Sequence, residues 1–399
     1  MKIAGLVCCW LICSFIVKSQ VIEVKAGDHT RSQVPLRVTL QKRLAPNTQY
    51  HLVNERTGLT TPAQLLDSNT LVFILPEKLL AGETVQYTLQ PVEANTYKNA
   101  ITIDREPAGL MVLVKDQPLL FYHTEVVKPP ADSPAYYQRS GFIHPLFTPR
   151  GKILTDDFPA GHAHQHAIFT AWTNTTFRNE FVDFWNTHLQ KGTVEHVEIT
   201  KIVEGPVMGQ VELWLRYKSF AHGEVLKEKW VLDFYPFTDH YLFDLHLTQV
   251  NTTNDTLFLN QYHYGGLAFR GSRQWNPHDK IYFRNNWNII TSEGIKDTAA
   301  NGTHARWVDA YGLIDGLMAG ATVFNHPSNF RYPQAIRVHP SMPYWAFAPV
   351  VDGAFTIGPG EEYRAQYRYF VHDGPVDKYL LDSIEKDWIA PPQVTVVKD

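Results

Sequence analysis

Phe243-Asp244-Leu245-His246-Leu247-Thr248 decides the fold class, because apolar and polar side chains alternate residue by residue. That period of two belongs to an extended strand with one packed face and one face free for solvent or ligand. Working outward, long strands are predicted over 210–220, 226–234, 241–250 and 363–371. Leu110-Met111-Val112-Leu113-Val114 and Pro118-Leu119-Leu120-Phe121-Tyr122 flank a turn at Lys115-Asp116-Gln117 and form a hairpin. Shorter runs at 34–40, 70–75 and 83–89, separated by turn signals such as Ala81-Gly82, mark a small β domain. Few segments could carry a three-turn amphipathic helix, and 377–388, closed by Pro391 and Pro392, is the best candidate. The expectation is an all-β chain, with an N-terminal Ig-like β-sandwich over 21–99 and a large antiparallel β-sandwich over 100–399.

The first residues have the layout of an export signal, expected over 1–20: Lys2, an apolar run from Ile3 to Val17, then Lys18-Ser19-Gln20. The run is short for a membrane span. Cys8, Cys9 and Cys13 are the only cysteines and all lie within it. The mature chain is therefore expected outside the cytoplasm, periplasmic or extracellular, without a thiol or disulfide. Leu6-Val7-Cys8-Cys9 superficially suggests lipid attachment, but the apolar run continues past it. No later segment is apolar enough to span a bilayer, so an integral membrane protein is not expected. With 44% apolar residues and a formal charge of -4, the chain has material for a large core. Lys and Arg are scattered and form no basic stripe, which makes nucleic acid a poor partner.

Polar chemistry gathers in four places. In Gly161-His162-Ala163-His164-Gln165-His166-Ala167, an extended backbone would turn His162, His164 and His166 to one side, where imidazoles converge on a metal or a substrate oxygen. His-X-His also lines metal-free polar pockets, and spacing alone supplies no further ligands. Glu180-Phe181-Val182-Asp183-Phe184-Trp185-Asn186-Thr187-His188 offers Asp183 to orient an imidazole or act as base, and Trp185 to stack on a pyranose. The bland alternative makes Trp185 a core residue and leaves Asp183 facing water. In Gln261-Tyr262-His263-Tyr264-Gly265-Gly266-Leu267-Ala268-Phe269-Arg270, the glycines permit a close backbone approach between His263 and Arg270, or simply mark a bulge. Phe324-Asn325-His326-Pro327-Ser328-Asn329-Phe330-Arg331 and Ile336-Arg337-Val338-His339 read as a rigid loop presenting Asn325, Asn329, Arg331 and Arg337, or as a packed cap. No phosphate loop, Gly-X-Ser-X-Gly elbow, His-Glu-X-X-His helix or calcium loop is present, which weighs against phosphoryl transfer, nucleotide redox and serine hydrolysis.

These clusters resemble the DUF6807 family, often labelled PmoA-like. The shared elements are His144-Pro145-Leu146 with Thr148-Pro149-Arg150-Gly151, His162-Ala163-His164-Gln165-His166, Asp183-Phe184-Trp185-Asn186, Tyr264-Gly265-Gly266, and Asn325-His326-Pro327 with Asn329. Family members commonly show a His-Pro-His-His-Arg-Gly type string; His162 and His164 match it, while Gln165 and His166 depart from it. The resemblance spans about 100–371 and implies a galactose-mutarotase-like β-supersandwich in bacterial polysaccharide degradation. A chain without membrane spans or an evident copper or iron ligand set makes a poor methane oxygenase.

The expected function is an exported carbohydrate-active enzyme, a glycoside hydrolase or lyase acting on an oligosaccharide. His164, His166, His263 and Asp183 would share acid–base work, while His162, Trp185, Arg270, Asn325, Asn329, Arg331 and Arg337 would hold substrate. No cofactor is expected; a divalent metal on His162, His164 and His166 is the alternative. The weak point is a second carboxylate, for which Glu180, Glu228, Asp239 and Glu361 are available. A non-catalytic glycan-binding protein and a histidine-based sugar epimerase are the competing readings.

Overall fold

The long alternating segments form the strands Gly209–Ser219, Gly223–Tyr235, His240–Asn251 and Glu362–Asp373 of the computed structural model, which describes residues 20–45 and 48–397. The expected signal segment lies outside the described residues except for Gln20. These strands pair antiparallel within an eight-stranded sheet. A second eight-stranded sheet runs in the order Ile101–Glu106, Gly109–Val114, Gln117–His123, Phe142–Leu146, Ile168–Ala171, Gly266–Arg270, Tyr344–Phe347, Ile336–Val338. The inward faces of both sheets share one apolar core. Tyr122 meets Trp230 with ring centroids 6.0 Å apart, and Phe347 stacks on Tyr367 at 5.4 Å. Truncating such a ring to alanine costs roughly 3–5 kcal/mol, so this layer dominates stability. The result is an all-β, sandwich-type fold.

The small domain is one seven-stranded sheet whose edge strands, Pro35–Thr39 and Gln393–Val397, approach each other, so it curls around Leu36, Leu52, Leu71 and Tyr87. Gln393–Val397 pairs with Val21–Lys25 along its whole length. The expected 100–399 unit is corrected here, because the chain returns to the small domain for its last described strand. The cause is local: Pro391 and Pro392 follow the helix Lys378–Ile389, and Val394 and Val396 then turn inward against the small core. That helix is capped by Asp377, which accepts the Tyr379 N–H at 2.9 Å. Among the described residues, no helix is long and apolar enough to cross a membrane.

One row of the second sheet prepares the site. Phe169 lies opposite Ala268, Ala268 opposite Ala346, and Ala346 opposite Arg337, so all four share the sheet's outer face. Two alanines between larger residues leave space above the sheet. Gly266, at φ +128°, starts the strand that carries Ala268, and a Cβ there would strike the Phe347 carbonyl oxygen. The paired glycines thus allow a close approach of backbone to backbone.

Candidate functional site

A cavity of about 370 Å3 opens above this row, walled by four segments. The first, 158–167, is not extended. Its N–H groups close turns, His162 onto Pro159 O and Gln165 onto His162 O, both at 3.0 Å, and Gly161 takes φ +89°. The shared face expected for three histidines is therefore corrected. His162 and His164 reach the cavity with rings 5.3 Å apart, whereas His166 turns inward, fully buried among Phe142 and Phe158, with Nδ1 2.7 Å from Asp157 Oδ1. The second segment brings His188, whose ring lies 5.4 Å from that of His164. The third brings Tyr262, His263 and Tyr264; the fourth brings Arg337, His339 and Tyr344. His339 meets His162 edge-on at 5.2 Å, so His339, His162, His164 and His188 form a row of imidazoles.

No carboxylate is among the cavity's lining side chains. Burial pushes His162, His164, His263 and His339 toward the neutral form, and neighbouring cationic forms would repel one another. His164 is pushed down to about 3, chiefly by burial and then by His162 and His188. His339 falls to about 4, by burial, His162 and Arg337. His162 and His263 are also lowered, burial first. Arg337 donates through Nη1 to Asn301 Oδ1 at 3.1 Å, while its buried Nε has no partner. The Tyr344 hydroxyl is likewise buried without a partner, and burial raises its pKa. The cavity therefore combines one fixed cation, neutral imidazoles and unmet hydrogen-bonding capacity.

Asp183 stands behind this surface. Its Oδ1 accepts the backbone N–H groups of Trp185 and Asn186 at 2.9 and 2.6 Å, and its Oδ2 accepts the Thr173 hydroxyl at 2.7 Å. Occupied in this way and buried, it holds Asn186 and is not among the cavity's lining residues. The expected stacking role of Trp185 is corrected too: the indole is 1% exposed and packs against Phe169, Tyr264 and Tyr344 as the cavity floor. Arg270, fully buried, donates to Gln165 Oε1 at 3.0 Å and supports the wall from behind. Asn325 and Asn329 bond to each other, and Asn329 also bonds the Gln366 backbone. Arg331 donates to the carbonyl oxygens of Pro349, Gly353 and Ala354, so this trio is a packed cap outside the cavity. Glu228 is buried in the core, accepting from Thr170 and Gln249.

Sequence reasoning overlooked His188, His339, Tyr262, Tyr264, Tyr344, Asn186 and Gln165. A signal existed for some of them. His339 lies two residues after Arg337, and Tyr262 and Tyr264 flank His263, so each stands beside a residue already singled out. Among the described residues, no group of three or more His, Asp or Glu side chains is arranged to hold a metal ion.

A family of unknown function, DUF6807, matches residues 109–385. No curated protein matches the chain. Among solved structures, an alpha-mannosidase from Enterococcus faecalis is similar at 10% identity and a TM-score of 0.44, over 95% of this chain and 46% of that one. The chain thus spans less than half the length of that protein.

Proposed function

We propose, for a chain that belongs to the DUF6807 family, that the imidazole-lined cavity is the active site of a carbohydrate-active lyase taking an acidic, uronate-bearing oligosaccharide. One observation carries this reading: the cavity offers Arg337, neutral imidazoles and tyrosines, and no lining carboxylate. Glycoside hydrolysis by the common routes needs two carboxylates flanking the scissile bond, which this lining does not supply. Proton abstraction next to a sugar carboxylate needs instead a cation for that carboxylate and a neutral base.

Arg337 holds the uronate carboxylate, using the Nε that has no partner within the protein. A carboxylate held in the cavity adds negative charge to a lining that has none and so raises the depressed pKa of His164, and the base gains strength as the acidic substrate arrives. His164 removes the C5 proton, the electron pair forms the C4–C5 double bond, and the C4–O4 bond breaks. The Tyr344 hydroxyl gives its proton to the departing oxygen. Water is not consumed, and the imidazolium returns a proton to Tyr344 through solvent to close the cycle. Tyr264, whose hydroxyl donates to Asn186 Oδ1 at 3.0 Å, holds its part of the wall. Asp183 positions Asn186 and touches no reacting atom.

The test is a panel of neutral and uronate-bearing oligosaccharides incubated with the full mature chain. The reading expects an unsaturated, ultraviolet-absorbing product from an acidic member alone. Reducing ends released from neutral members without unsaturation would replace it with hydrolysis.

A further inference from the structure

A second cavity, of about 380 Å3, lies on the far side of the Arg270 wall, and the proposed reaction does not use it. Its inner end carries Asp156, Asp157 and His144; its rim carries Arg273, Lys152 and Tyr282. Asp156 is 3% exposed, and its Oδ2 is buried with no hydrogen-bond partner. The other oxygen lies 3.5 Å from Arg273 Nε. Arg273 in turn lies over the Tyr282 ring, 4.3 Å from its centroid. Asp157 Oδ1 is occupied by His166 Nδ1 at 2.7 Å and by the Phe158 N–H at 3.0 Å. His144 is fixed by Thr155 Oγ1, 3.0 Å from its Nδ1.

An orphaned, buried carboxylate oxygen is costly unless something donates to it. The charges around it select the donor. Lys152, paired with Asp315 at 2.9 Å, and Arg273 stand at the mouth against a cation, while Asp156 and Asp157 stand inside against an anion. Burial pushes both inner carboxyls up to about 7, so near neutrality they divide between acceptor and donor forms. Acceptors, donors and an aromatic ring within a few ångströms are what a hydroxyl-rich, uncharged ring requires, and the volume falls within the usual range of about 300–1,000 Å3 for small-molecule sites. We propose that this cavity is a second binding site, for a neutral saccharide unit, in which Asp156 Oδ2 accepts a sugar hydroxyl and Arg273 donates to a neighbouring one. Arg270 links the two cavities, since it holds Gln165 in the wall of the first and its charge acts on Asp156 in the second.

Ligand-observed NMR on the mature chain with glucose, galactose, mannose, xylose, cellobiose and mannobiose tests this. At least one sugar is expected to bind, with Asp156→Asn and Arg273→Met each weakening it about tenfold or more, the loss of roughly one charge-assisted hydrogen bond. Arg337→Met, in the first cavity, is expected to leave that binding unchanged. Arg273 is half exposed at the rim, so its variant keeps the test valid even where Asp156→Asn does not fold. Absence of binding by every sugar, or binding that ignores both variants, overturns the proposal. Binding lost only in Arg337→Met assigns sugar to the first cavity alone, which overturns the second site while leaving the first reading in place.

Discussion

Asp183 and Asn186 are joined twice: the Asn186 backbone N–H donates to Oδ1 at 2.6 Å, and its side-chain amide donates to Oδ2 at 3.0 Å. Through this clamp a buried carboxylate fixes the amide that receives the Tyr264 hydroxyl. Asp183→Asn places an NH2 group where two N–H donors already point. A stability loss of about 2–3 kcal/mol is expected in denaturant titration, with misplacement of Tyr264 raising KM more than it lowers kcat. A fall in kcat of several orders of magnitude at unchanged stability would return Asp183 to the acid–base role.

The pH dependence of stability separates two buried groups of opposite sign. His164 and His339, at about 3 and 4 in the folded chain, lie below the unfolded value of about 6.5, so stability present above that value is lost as pH falls through this window. Asp156, at about 7 folded against about 3.9 unfolded, acts in reverse: its contribution is present below the unfolded value and lost as pH rises to about 7. Asp156→Asn is therefore expected to raise Tm relative to the parent more at about pH 8 than at about pH 5, while His164→Gln flattens the acid limb. Equal shifts at both pH values would contradict the Asp156 assignment.

How much was legible follows from what the residues advertise. The long strands could be read because alternation is a backbone property, and 241–250 became His240–Asn251. The curling of the small domain around the C-terminal strand was not, since five alternating residues do not name their partner. His162, His164, His263 and Arg337 line the cavity, but His166 does not, because the turns of its segment break the period of two. Asp183 and Arg270 carry the right chemistry one layer too deep, and Trp185 lines the cavity only as its buried floor. Burial separates a residue that touches substrate from one that holds its neighbour, and burial is a tertiary property.

Metal content tests the imidazole row. Four rings follow one another at centroid spacings of 5.2, 5.3 and 5.4 Å, but among the described residues no group of three or more is arranged to hold a metal ion, whereas tetrahedral ligation needs donors that converge on one point. Elemental analysis of protein prepared without a His-tag is expected to find zinc, copper and iron only below stoichiometry. One equivalent lost in His164→Ala would make this row a metal centre and move the chemistry to metal-assisted attack.

The mature N-terminus is expected near Val21. Val21 pairs with Thr88 on one side and Val397 on the other, so cleavage just before it keeps this interior strand paired on both sides and removes the Gln20 carbonyl that accepts the Leu89 N–H at 2.9 Å. Intact mass of exported protein checks this; Met1 retained on cytoplasmic material would contradict export.

The central claim, removal of the proton next to a sugar carboxylate by His164 with Arg337 holding the carboxylate, is tested most directly by reaction of a uronate oligosaccharide in D2O, read by mass spectrometry and NMR. The account predicts an unsaturated product at the parent's rate, a fall of about 10²-fold or more in kcat for His164→Gln, and a rise mainly in KM for Arg337→Met, with both variants folded. Deuterium entering C5 without elimination would keep the same proton abstraction and make the enzyme an epimerase. Saturated, hydrolysed products that retain the C5 hydrogen, formed equally well by His164→Gln, would contradict it.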